Sequence, residues 1–575
     1  MIFIEKLCFW DIFQLLWRKQ GALYAVKSLG ARFAERFLAR FGKAVNATKI
    51  DFGNVQSAYG IRRQAYQNAE VEMDKLPGKS WANSIDLLLD INFGLILKKY
   101  FFDEIYIKFE FLEMALRFAE EHPAERHVMI VAPEFLDAYS KSLANKFDLS
   151  LRKNTSFLGL MTLFLLPVFI EYFWSRKGRS DDLRFDNKII CEVDAEKTFI
   201  MFSSLFANFP QDRLVYCVEQ RNFGALSHHP EIRELGLRQD GVTYLRHVVW
   251  RYIYISIINL PEVARFGSRL FRIFYVLMQG KADTVGGTGN VYLTYEHLIT
   301  TKAVRNEFLR QSGNKTVFVP MNGHVTPQFF HSEILLNYDV MCSAGPHVEK
   351  LYKKKRALTT KYLPTGSYDS HRKIVDSAGK ELRLSPLKSF NGDALAVTII
   401  SPGICDPTYR HELRLMELAR QLAELDHVRV SIRLKPVTPE PKYRHFYEEQ
   451  RGDSARILLT SGEYELFDFL ETTDVFITTI SNAAFDLVQA GAQVFFLDYL
   501  RDPELMLCWA ETDGVLVPEE FALESILGWV NDLPGARAHR SVLMQDFSEK
   551  ISFQFPSFDD YRANFIRLLT NNNLV

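Results

Sequence analysis

One stretch, from Asp474 to Tyr499 (DVFITTISNAAFDLVQAGAQVFFLDY), constrains the fold of this chain more than any other. Two apolar runs rich in β-branched and aromatic residues enclose a short helical pattern, AAFDLVQA. Ser481 and Asn482 suit a helix start because their side chains accept hydrogen bonds from free backbone N–H groups, and Gly491 suits a left-handed helix end. The stretch therefore predicts a strand–helix–strand crossover of a parallel sheet, and the first turn of its helix is a natural seat for a phosphate.

Length and charge limit the class of protein. A chain of 575 residues exceeds what one hydrophobic core organises, so two or more domains are expected. The net charge of −1 lacks the basic excess that nucleic-acid-binding proteins usually carry.

The six cysteines show no CxxC pair and no zinc spacing, which favours a reducing compartment. Acidic residues interrupt the apolar N-terminus and no small-residue cleavage site follows, so we predict no signal peptide and a cytoplasmic protein.

Strand and helix patterns alternate along most of the chain, which indicates α/β domains. Strand-like runs occupy residues 197–202, 213–219, 242–249, 291–296, 315–321, 338–345 and 361–367, and a second series begins at residue 394. The first predicted domain is an α/β domain at 1–376, with helical insertions at about 57–125 and 150–280. A polar linker at 377–393 follows it. The second predicted domain is Rossmann-like and spans 394–560, and a helix end and tail occupy 561–575.

Two apolar regions have more than one interpretation. The segment 157–174 is flanked by basic residues, but Pro167 and Glu171 interrupt it, and it is shorter than the roughly 20 apolar residues of a membrane span. It is either a buried or interdomain helix, or a helix that lies in the inner membrane face. The basic and aromatic residues of 251–260 and 268–280 could extend such a membrane-facing surface.

Polar residues end nearly every predicted strand of the C-terminal half, where parallel sheets bind ligands. These strand ends carry Ser401-Pro402-Gly403, Lys435-Pro436, Ser461-Gly462-Glu463, Ser481-Asn482 and Asp498. Such an edge suits a nucleotide diphosphate, because backbone N–H groups meet phosphate oxygens and Lys435 adds a positive charge. Lys435 could also be a solvated strand-end lysine. Asp486 either contacts a ribose or interacts favourably with the helix dipole near the start of its helix.

Several alternative sites are excluded by their missing motifs. The chain has no GxxxxGK[ST] sequence, and the glycine run 286–289 lacks the lysine and precedes a strand. No GxGxxG follows the first strand, and no Asp-x-Asp metal motif stands out. We therefore predict that no cofactor and no metal ion is required.

The tail SNAAFDLVQAGAQVFFLD, with RLKP upstream, resembles the nucleotide-binding domain of GT-B glycosyltransferases. The resemblance covers about residues 290–520 and is strongest to bacterial capsule and surface-polysaccharide transferases and to CDP-glycerol glycerophosphotransferases. In RLKP the matching residues are Lys435 and Pro436, and in and just before the tail they are Thr478, Thr479, Ser481, Asn482 and Asp486. The motifs VFVPMNGH, NYDVMCSAG and YLPTGSYD resemble the end of the first domain in the same families, through Gly323, His324, Asp339, Gly345, Gly366 and Asp369.

This resemblance implies two doubly wound Rossmann-like domains that face a cleft, with the acceptor-side domain first and helical additions in the first half. The predicted donor-binding residues are Gly323, Gly366, Ser401, Gly403, Lys435, Pro436, Ser461, Gly462, Ser481, Asn482 and Asp486. Glu296 and His324 end successive strands of the first domain and are the predicted catalytic bases. Alternatively, Glu296 pairs with a nearby base and His324 caps a turn.

The predicted function is that of a glycosyltransferase of bacterial surface or capsular polysaccharide synthesis. It would transfer a sugar from a nucleotide-activated donor to a glycan or lipid-linked acceptor, in the cytoplasm or at the inner membrane face. Three alternatives remain open: a CDP-glycerol or ribitol-type polyol-phosphate transferase, a sugar epimerase of the GT-B fold, and a non-catalytic assembly factor at the membrane.

Overall fold

The computed structural model describes most of the chain. The segments outside the description are 18–21, 28, 41–42, 44–45, 50–57, 77–79, 124, 126, 133–134, 136–138, 152–161, 169–183, 236–238, 264–265, 267–268, 285, 296–299, 321–335, 355–357, 360, 373–394, 402–408, 436–439, 453–454, 461–465, 480, 482, 499–515, 519–521, 532–541 and 543–544. Within the described residues, the strands form three sheets in which all the strand pairs are parallel.

The first sheet has the strand order β3-β2-β1-β4-β5. Its strands are β1 (Ile2–Leu7), β2 (Ala22–Lys27), β3 (Ala47–Lys49), β4 (Val128–Val131) and β5 (Asp148–Leu151). The helices of this region are α1 (Phe9–Trp17), α2 (Leu29–Ala39), α3 (Ala58–Asp74), α4 (Ser80–Leu89), α5 (Phe93–Glu121) and α6 (Ser140–Lys146). The buried ring of Trp81 packs edge-on against Phe93 at 5.2 Å between ring centres, which joins α4 to the long helix α5.

The second sheet has seven strands in the order β12-β11-β10-β9-β6-β7-β8. They are β6 (Ile189–Glu192), β7 (Leu214–Glu219), β8 (Ile232–Leu235), β9 (Val291–Thr294), β10 (Lys315–Phe318), β11 (Val340–Ser343) and β12 (Lys361–Pro364). Its region contains α7 (Glu196–Leu205), α8 (Gln220–Leu226), α9 (Gln239–Ile258), α10 (Leu260–Val263), α11 (Arg269–Ala282), α12 (Thr300–Gln311) and α13 (Pro346–Lys354), and short 3₁₀ turns at Thr162–Leu165 and Gln211–Arg213. The buried faces of α9 and α11 join the helical core of the first sheet, where Tyr252 contacts Trp81.

The third sheet has six strands in the order β15-β14-β13-β16-β17-β18. They are β13 (Leu395–Ile400), β14 (Val428–Arg433), β15 (Ile457–Thr460), β16 (Val475–Thr478), β17 (Val494–Asp498) and β18 (Leu516–Pro518). Its helices are α14 (Tyr409–Ala423), α15 (Glu440–Arg451), α16 (Ala483–Gln489) and α17 (Ala522–Asn531), with a 3₁₀ turn at Leu466–Phe469 and a π-helical turn at Phe547–Ile551.

The crossover predicted from Asp474 to Tyr499 is present as β16-α16-β17. Phe476 pairs with Val494 and Thr478 with Phe496 in a parallel register. The helix ends as predicted, because Gly491 has φ +82° and its N–H donates to the carbonyl of Val488 at 2.9 Å. The side chain of Ser481 accepts a hydrogen bond from the N–H of Ala483 at 3.2 Å, at the start of the helix.

The last helix, α18 (Phe558–Asn571), packs on the second sheet although it follows the third in sequence. Its buried face carries Tyr561, Phe565 and Leu569, and these join the core of the second sheet. The chain returns through residues 551–555, where the N–H of Phe553 donates to the carbonyl of Ala344 at 2.9 Å. This returning segment therefore links the third domain back to the second.

The predicted fold class is confirmed: the protein is α/β, with parallel sheets in a Rossmann-like arrangement. The structure also holds a feature that the sequence reading did not separate, since residues 2–151 form a sheet of their own. The region 150–280, predicted as a helical insertion, supplies three strands to the second sheet, namely β6, β7 and β8.

Two predicted strands, 197–202 and 242–249, were wrong because they lie in α7 and α9. In α7 the side chain of Thr198 accepts hydrogen bonds from the N–H groups of Asp194 and Ala195 at the helix start, which favours a helix over an extended strand. In α9 the buried positions Val249, Tyr252 and Ser256 follow helical spacing against the core. Burial on one helical face outweighed the β-branched composition of both runs.

Among the helices that the structure describes, none is both long and apolar enough to cross a membrane. Of the predicted apolar segment 157–174, residues 162–168 are described. Leu166 is buried in the core of the first sheet, while Phe164, Leu165 and Val168 are exposed.

Candidate functional site

The strand order of the third sheet reverses between β13 and β16, and this is where open parallel sheets bind ligands. Ile400 and Thr478 are paired at the carboxyl ends of the two strands. Ser401 follows directly, and its hydroxyl donates to the buried carboxylate of Glu412 at 2.8 Å. The predicted residue Ser401 thus lies at the switch point, held by the first turn of α14.

The other described donor-binding residues of this edge are Lys435 and Ser481. Lys435 is exposed two residues after β14, and Ser481 is half-buried between β16 and α16. Because β13, β14 and β16 are adjacent and parallel, their ends bring Ser401, Lys435 and Ser481 to one edge of the sheet. A cationic side chain beside hydroxyl groups at such an edge can bind a phosphate.

Asp486 contacts the second domain. Its carboxylate accepts a hydrogen bond from the hydroxyl of Ser370 at 2.5 Å, and both side chains are buried. Ser370 follows β12, so the contact joins the carboxyl edges of the second and third sheets. A second contact across the same boundary stacks the ring of His347, at the start of α13, on Phe485 at 5.5 Å.

The glycines of the resembling motifs lie against the returning segment 551–555. A Cβ atom on Gly345 would stand 1.6 Å from the carbonyl oxygen of Ile551. Gly366 has φ +82°, and a Cβ atom there would lie 2.9 Å from the carbonyl oxygen of Phe553. In the structure, both glycines therefore allow the close passage of a neighbouring backbone.

The two acids of these motifs have protein partners. Asp369 forms an ion pair with Lys197 at 3.2 Å, which ties β12 to α7. Asp339 accepts from Arg310 at 2.7 Å and from the N–H and hydroxyl of Thr316. These pairs stabilise the packing of strands and helices within the second domain.

Eight predicted site residues lie outside the described residues. They are both catalytic candidates, Glu296 and His324, and the donor-binding candidates Gly323, Gly403, Pro436, Ser461, Gly462 and Asn482. Their roles remain predictions.

The second sheet has its own switch point, between β6 and β9, and a buried charge network lies there. Lys302 of α12 contacts the carboxylates of Glu192 and Glu219, at the ends of β6 and β7. Arg305 donates to Glu192 at 2.5 Å, and its side chain is 1% exposed. Burial disfavours the ionised form of Glu192, but the positive charges of Arg305 and Lys302 outweigh the effect of burial. They hold the pKa of Glu192 well below the ordinary value.

A cavity of about 20 Å³ lies beside this network. It is lined by Glu192, Val193, Asp194, Glu219, Thr294, Tyr295 and Lys302. Asp194 accepts hydrogen bonds from the phenol of Tyr295 and, at 2.7 Å, from the hydroxyl of Thr198. Such a volume holds about one water molecule.

The anionic groups around the cavity outnumber the cationic ones. Glu192, Asp194 and Glu219 line it together with one cation, Lys302. Among the groups near them, Arg305 adds one positive charge, and burial raises the pKa of Asp283 to about 6. With Asp283 ionised, four acids face two bases and the surroundings carry a net charge of −2.

Sequence reasoning missed this second switch point. Glu219 ends a run, RLVYCVE, that was recognised as a strand, so the strand-end rule applied to the C-terminal half would have selected it here too. Glu192 ends and Asp194 follows a short strand, β6, that was not recognised. Lys302 and Arg305 lie on a helix whose distance from β6 and β7 the sequence does not reveal.

One cluster among the described residues has the side chains of a metal site. Glu196, His228 and His229 bring ligand atoms within 4.8 Å of one another. The cluster is mostly exposed, and the two imidazoles contact the carboxylate at 3.3 and 3.0 Å. Hydrogen bonds from the histidines account for the arrangement and lower the pKa of Glu196.

No protein-family model and no curated protein sequence matches the chain. Solved structures similar to it include UDP-GlcNAc 2-epimerase from Neisseria meningitidis bound to UDP-GlcNAc, at 11% identity and a TM-score of 0.37 over 67% of this chain and 100% of that one. α,α-Trehalose 6-phosphate synthase from Burkholderia multivorans is 12% identical, with a TM-score of 0.38 over 68% and 99% of the two chains. The wall teichoic acid polymerase TagF is 9% identical, with a TM-score of 0.37 over 74% and 98%.

Two doubly wound parallel sheets, the second and the third, meet at their carboxyl edges through Ser370 and Asp486. Each carries polar and charged residues at its switch point.

Proposed function

We propose that the chain is a glycosyltransferase of bacterial surface or capsular polysaccharide synthesis. It transfers a sugar from a nucleotide-activated donor to a glycan or lipid-linked acceptor, and it needs no metal ion. The observation that carries the proposal is the meeting of two doubly wound sheets at their carboxyl edges, since ligands bind parallel sheets at those edges. A two-substrate reaction is accelerated when both reactants are held in the right relative geometry, and two facing surfaces can hold them so.

The donor nucleotide is assigned to the third sheet. Ser401, Lys435 and Ser481 share its edge, and an exposed lysine there can neutralise a phosphate while the hydroxyls donate to it. The predicted residues Gly403, Pro436, Ser461, Gly462 and Asn482 complete this proposed site. The catalytic roles of Glu296 and His324, and the roles of Gly323 and Gly366 near the donor, stay part of the proposal.

A nucleotide screen by thermal unfolding tests the proposal. Only the correct nucleotide among CMP, CDP, UDP and GDP should raise the melting temperature. At a concentration 100 times its Kd it should stabilise the folded protein by about 2.7 kcal/mol.

Incubation with the matching sugar nucleotide then separates the alternatives. Transfer to a glycan supports the proposal, a changed sugar on an intact nucleotide indicates an epimerase, and release of CMP from CDP-glycerol indicates a polyol-phosphate transferase. Binding of no nucleotide would leave the non-catalytic assembly factor.

Peripheral attachment to the inner membrane face is also part of the proposal. Trp250, Tyr254, Ile257 and Ile258 form an exposed stripe on α9, and the exposed Arg251 lies beside it. Aromatic side chains with basic neighbours suit an anionic lipid surface. In contrast, the apolar residues of α11, in the predicted region 268–280, are mostly buried.

Flotation with vesicles tests this attachment. Vesicles of phosphatidylcholine and phosphatidylglycerol should bind the protein at low salt and release it at high salt, because basic side chains contribute to the attraction. The triple variant Trp250→Ala/Tyr254→Ala/Ile258→Ala should lose binding, while Phe33→Ala, which removes an exposed aromatic ring on α2, should keep it. Equal binding by both variants would contradict the assignment of this face.

A further inference from the structure

We infer that the cavity at the switch point of the second sheet binds one hydroxyl group of an uncharged carbohydrate, with Glu219 and Asp194 as acceptors. The inference rests on the proposed function and names the chemical class that the first of the two facing edges takes. It follows from the position, the size and the charge of the cavity.

Position assigns the cavity to a ligand. The lining residues Glu192 and Thr294 end β6 and β9, the two strands between which the strand order of the second sheet reverses. Side chains from β7 and α12, Glu219 and Lys302, complete the lining. Several elements thus converge on one small volume at the place where parallel sheets bind small molecules.

Size restricts what enters. About 20 Å³ accommodates one water molecule, and a hydroxyl oxygen has nearly the same volume. The cavity is partly open, so one hydroxyl can enter it while the remaining atoms of its ligand lie outside.

Charge selects the same group. Three carboxylates line the cavity and one cation, Lys302, is already shared by Glu192 and Glu219. A phosphate would meet like charges, whereas a hydroxyl donates its hydrogen to a carboxylate. Because an ionised carboxylate has about four acceptor positions, Glu219 can accept from a hydroxyl while it keeps the contact with Lys302.

The burial of the network gives this contact a fixed geometry. The side chains of Lys302 and Glu192 are 4% and 6% exposed, and that of Glu219 is 12% exposed. Tyr295 and Thr198 also hold the carboxylate of Asp194, which is half-buried. Acceptors held by buried partners lose little conformational entropy when a ligand binds.

A hydroxyl of this kind is carried by a sugar acceptor and also by the sugar of the donor. Two arms of one experiment separate these sources. The first arm measures binding of the nucleotide that the thermal screen selects from CMP, CDP, UDP and GDP, and of the sugar nucleotides that carry glucose, galactose or N-acetylglucosamine on it. The second measures binding of the methyl glycosides of glucose, galactose, mannose and N-acetylglucosamine with the same nucleotide present, and of the corresponding sugar 6-phosphates, by saturation-transfer NMR.

The critical variant is Glu219→Gln, and its matched control is Glu234→Gln on the neighbouring strand β8. Glu219→Gln should weaken sugar binding about 10-fold or more, because the hydroxyl loses its carboxylate acceptor. Glu234→Gln should leave sugar binding unchanged. An effect on the sugar nucleotides and not on the free nucleotide assigns the hydroxyl to the donor, and an effect on the methyl glycosides assigns it to the acceptor. Thermal unfolding checks that each variant is folded, and Asp194→Asn serves as the second variant if Glu219→Gln does not fold.

Three results would overturn the inference: no neutral sugar bound by the wild-type chain, equal binding by wild type and Glu219→Gln, or sugar phosphates bound as tightly as neutral glycosides. The proposed function fails by a different result, the absence of nucleotide binding. A chain that binds the selected nucleotide normally while Glu219→Gln leaves sugar binding intact would refute the cavity assignment alone.

Discussion

The hydroxyl of Ser370 donates to the carboxylate of Asp486 across 2.5 Å, and this bond joins the carboxyl edges of two parallel sheets. Both side chains are buried, so the bond lies away from water. A buried hydroxyl–carboxylate pair is strong because the acceptor is charged. The relationship positions the first turn of α16 against the helical turn at residues 368–372 that follows β12.

Removal of this bond should destabilise the contact between the two domains. Ser370→Ala and Asp486→Ala should each cost about 1.5–3 kcal/mol, and the double variant should cost less than their sum because both remove one bond. Urea unfolding of the four proteins in the cycle measures the coupling. Full additivity would contradict a direct interaction in solution.

The same variants test the predicted ribose contact of Asp486. If its carboxylate also touches the nucleotide, Asp486→Ala weakens nucleotide binding and Ser370→Ala does not. Equal nucleotide affinity in both variants assigns Asp486 to the domain contact alone.

Lys302→Met should destabilise the protein by about 3–5 kcal/mol, because it leaves two buried carboxylates, Glu192 and Glu219, short of a cation. The matched control is Lys353→Met, since Lys353 forms a surface pair with Glu349 that contributes only about 0–1 kcal/mol. Unfolding free energies of the two variants provide the comparison, and similar losses would show that the network is not stabilising.

Stability should fall in mildly acidic solution through His371. Its Nδ1–H donates to the carbonyl of Ser367 at 2.6 Å, and its Nε2 accepts from the N–H of Phe555 at 3.2 Å, so the folded state requires a neutral ring. Burial lowers the pKa of His371 below the ordinary value of 6.5. The unfolded chain therefore binds the proton first, and the stability contributed by the neutral ring is lost as the pH falls below about 6.5.

His371→Gln separates this effect from other titrations, because glutamine keeps one donor and one acceptor but does not titrate. Urea unfolding between pH 5 and 8 should show a shallower decline for this variant than for the wild type. Parallel pH profiles would remove His371 as the cause.

Gly345→Ala should cost more than about 1–3 kcal/mol, because the new Cβ would stand 1.6 Å from the carbonyl oxygen of Ile551 and the returning segment must shift. Gly224→Ala is the matched control, as no atom lies within 4 Å of its Cβ position in α8. The control should be neutral or more stable by about 0.5–1 kcal/mol. Thermal unfolding of both variants measures these changes, and equal stabilities of Gly345→Ala and Gly224→Ala would contradict the close contact with Ile551.

Lys435→Ala should weaken nucleotide binding by roughly 1.5–3 kcal/mol, because a charge-assisted contact to phosphate is lost, without changing the melting temperature of the free protein. Arg429→Ala removes another exposed cation, on β14, and should leave nucleotide affinity unchanged. Isothermal titration of the nucleotide found in the screen measures both. An unaltered affinity in folded Lys435→Ala excludes this residue from the site.

Local signals made the crossover at residues 474–499 predictable, since its cap, its strands and its left-handed glycine lie within one short stretch. The strand-end rule likewise placed Ser401 and Ser481 on one edge. The partner of Asp486 could not be predicted because Ser370 lies 116 residues earlier, in the other domain. The network of Lys302 depends in the same way on the packing of a helix against distant strands, and Gly366 owes its packing to a segment that returns from the third domain.

The path of the chain into α18 has a consequence for synthesis. Domains generally fold in order as the chain emerges from the ribosome. The first and third sheets are each built from one continuous region, but the core of the second requires Tyr561 and Phe565, which are translated after the whole third sheet. The second domain therefore begins to fold before the third and is completed after it, and until then a nascent chain exposes the apolar surface that α18 will cover.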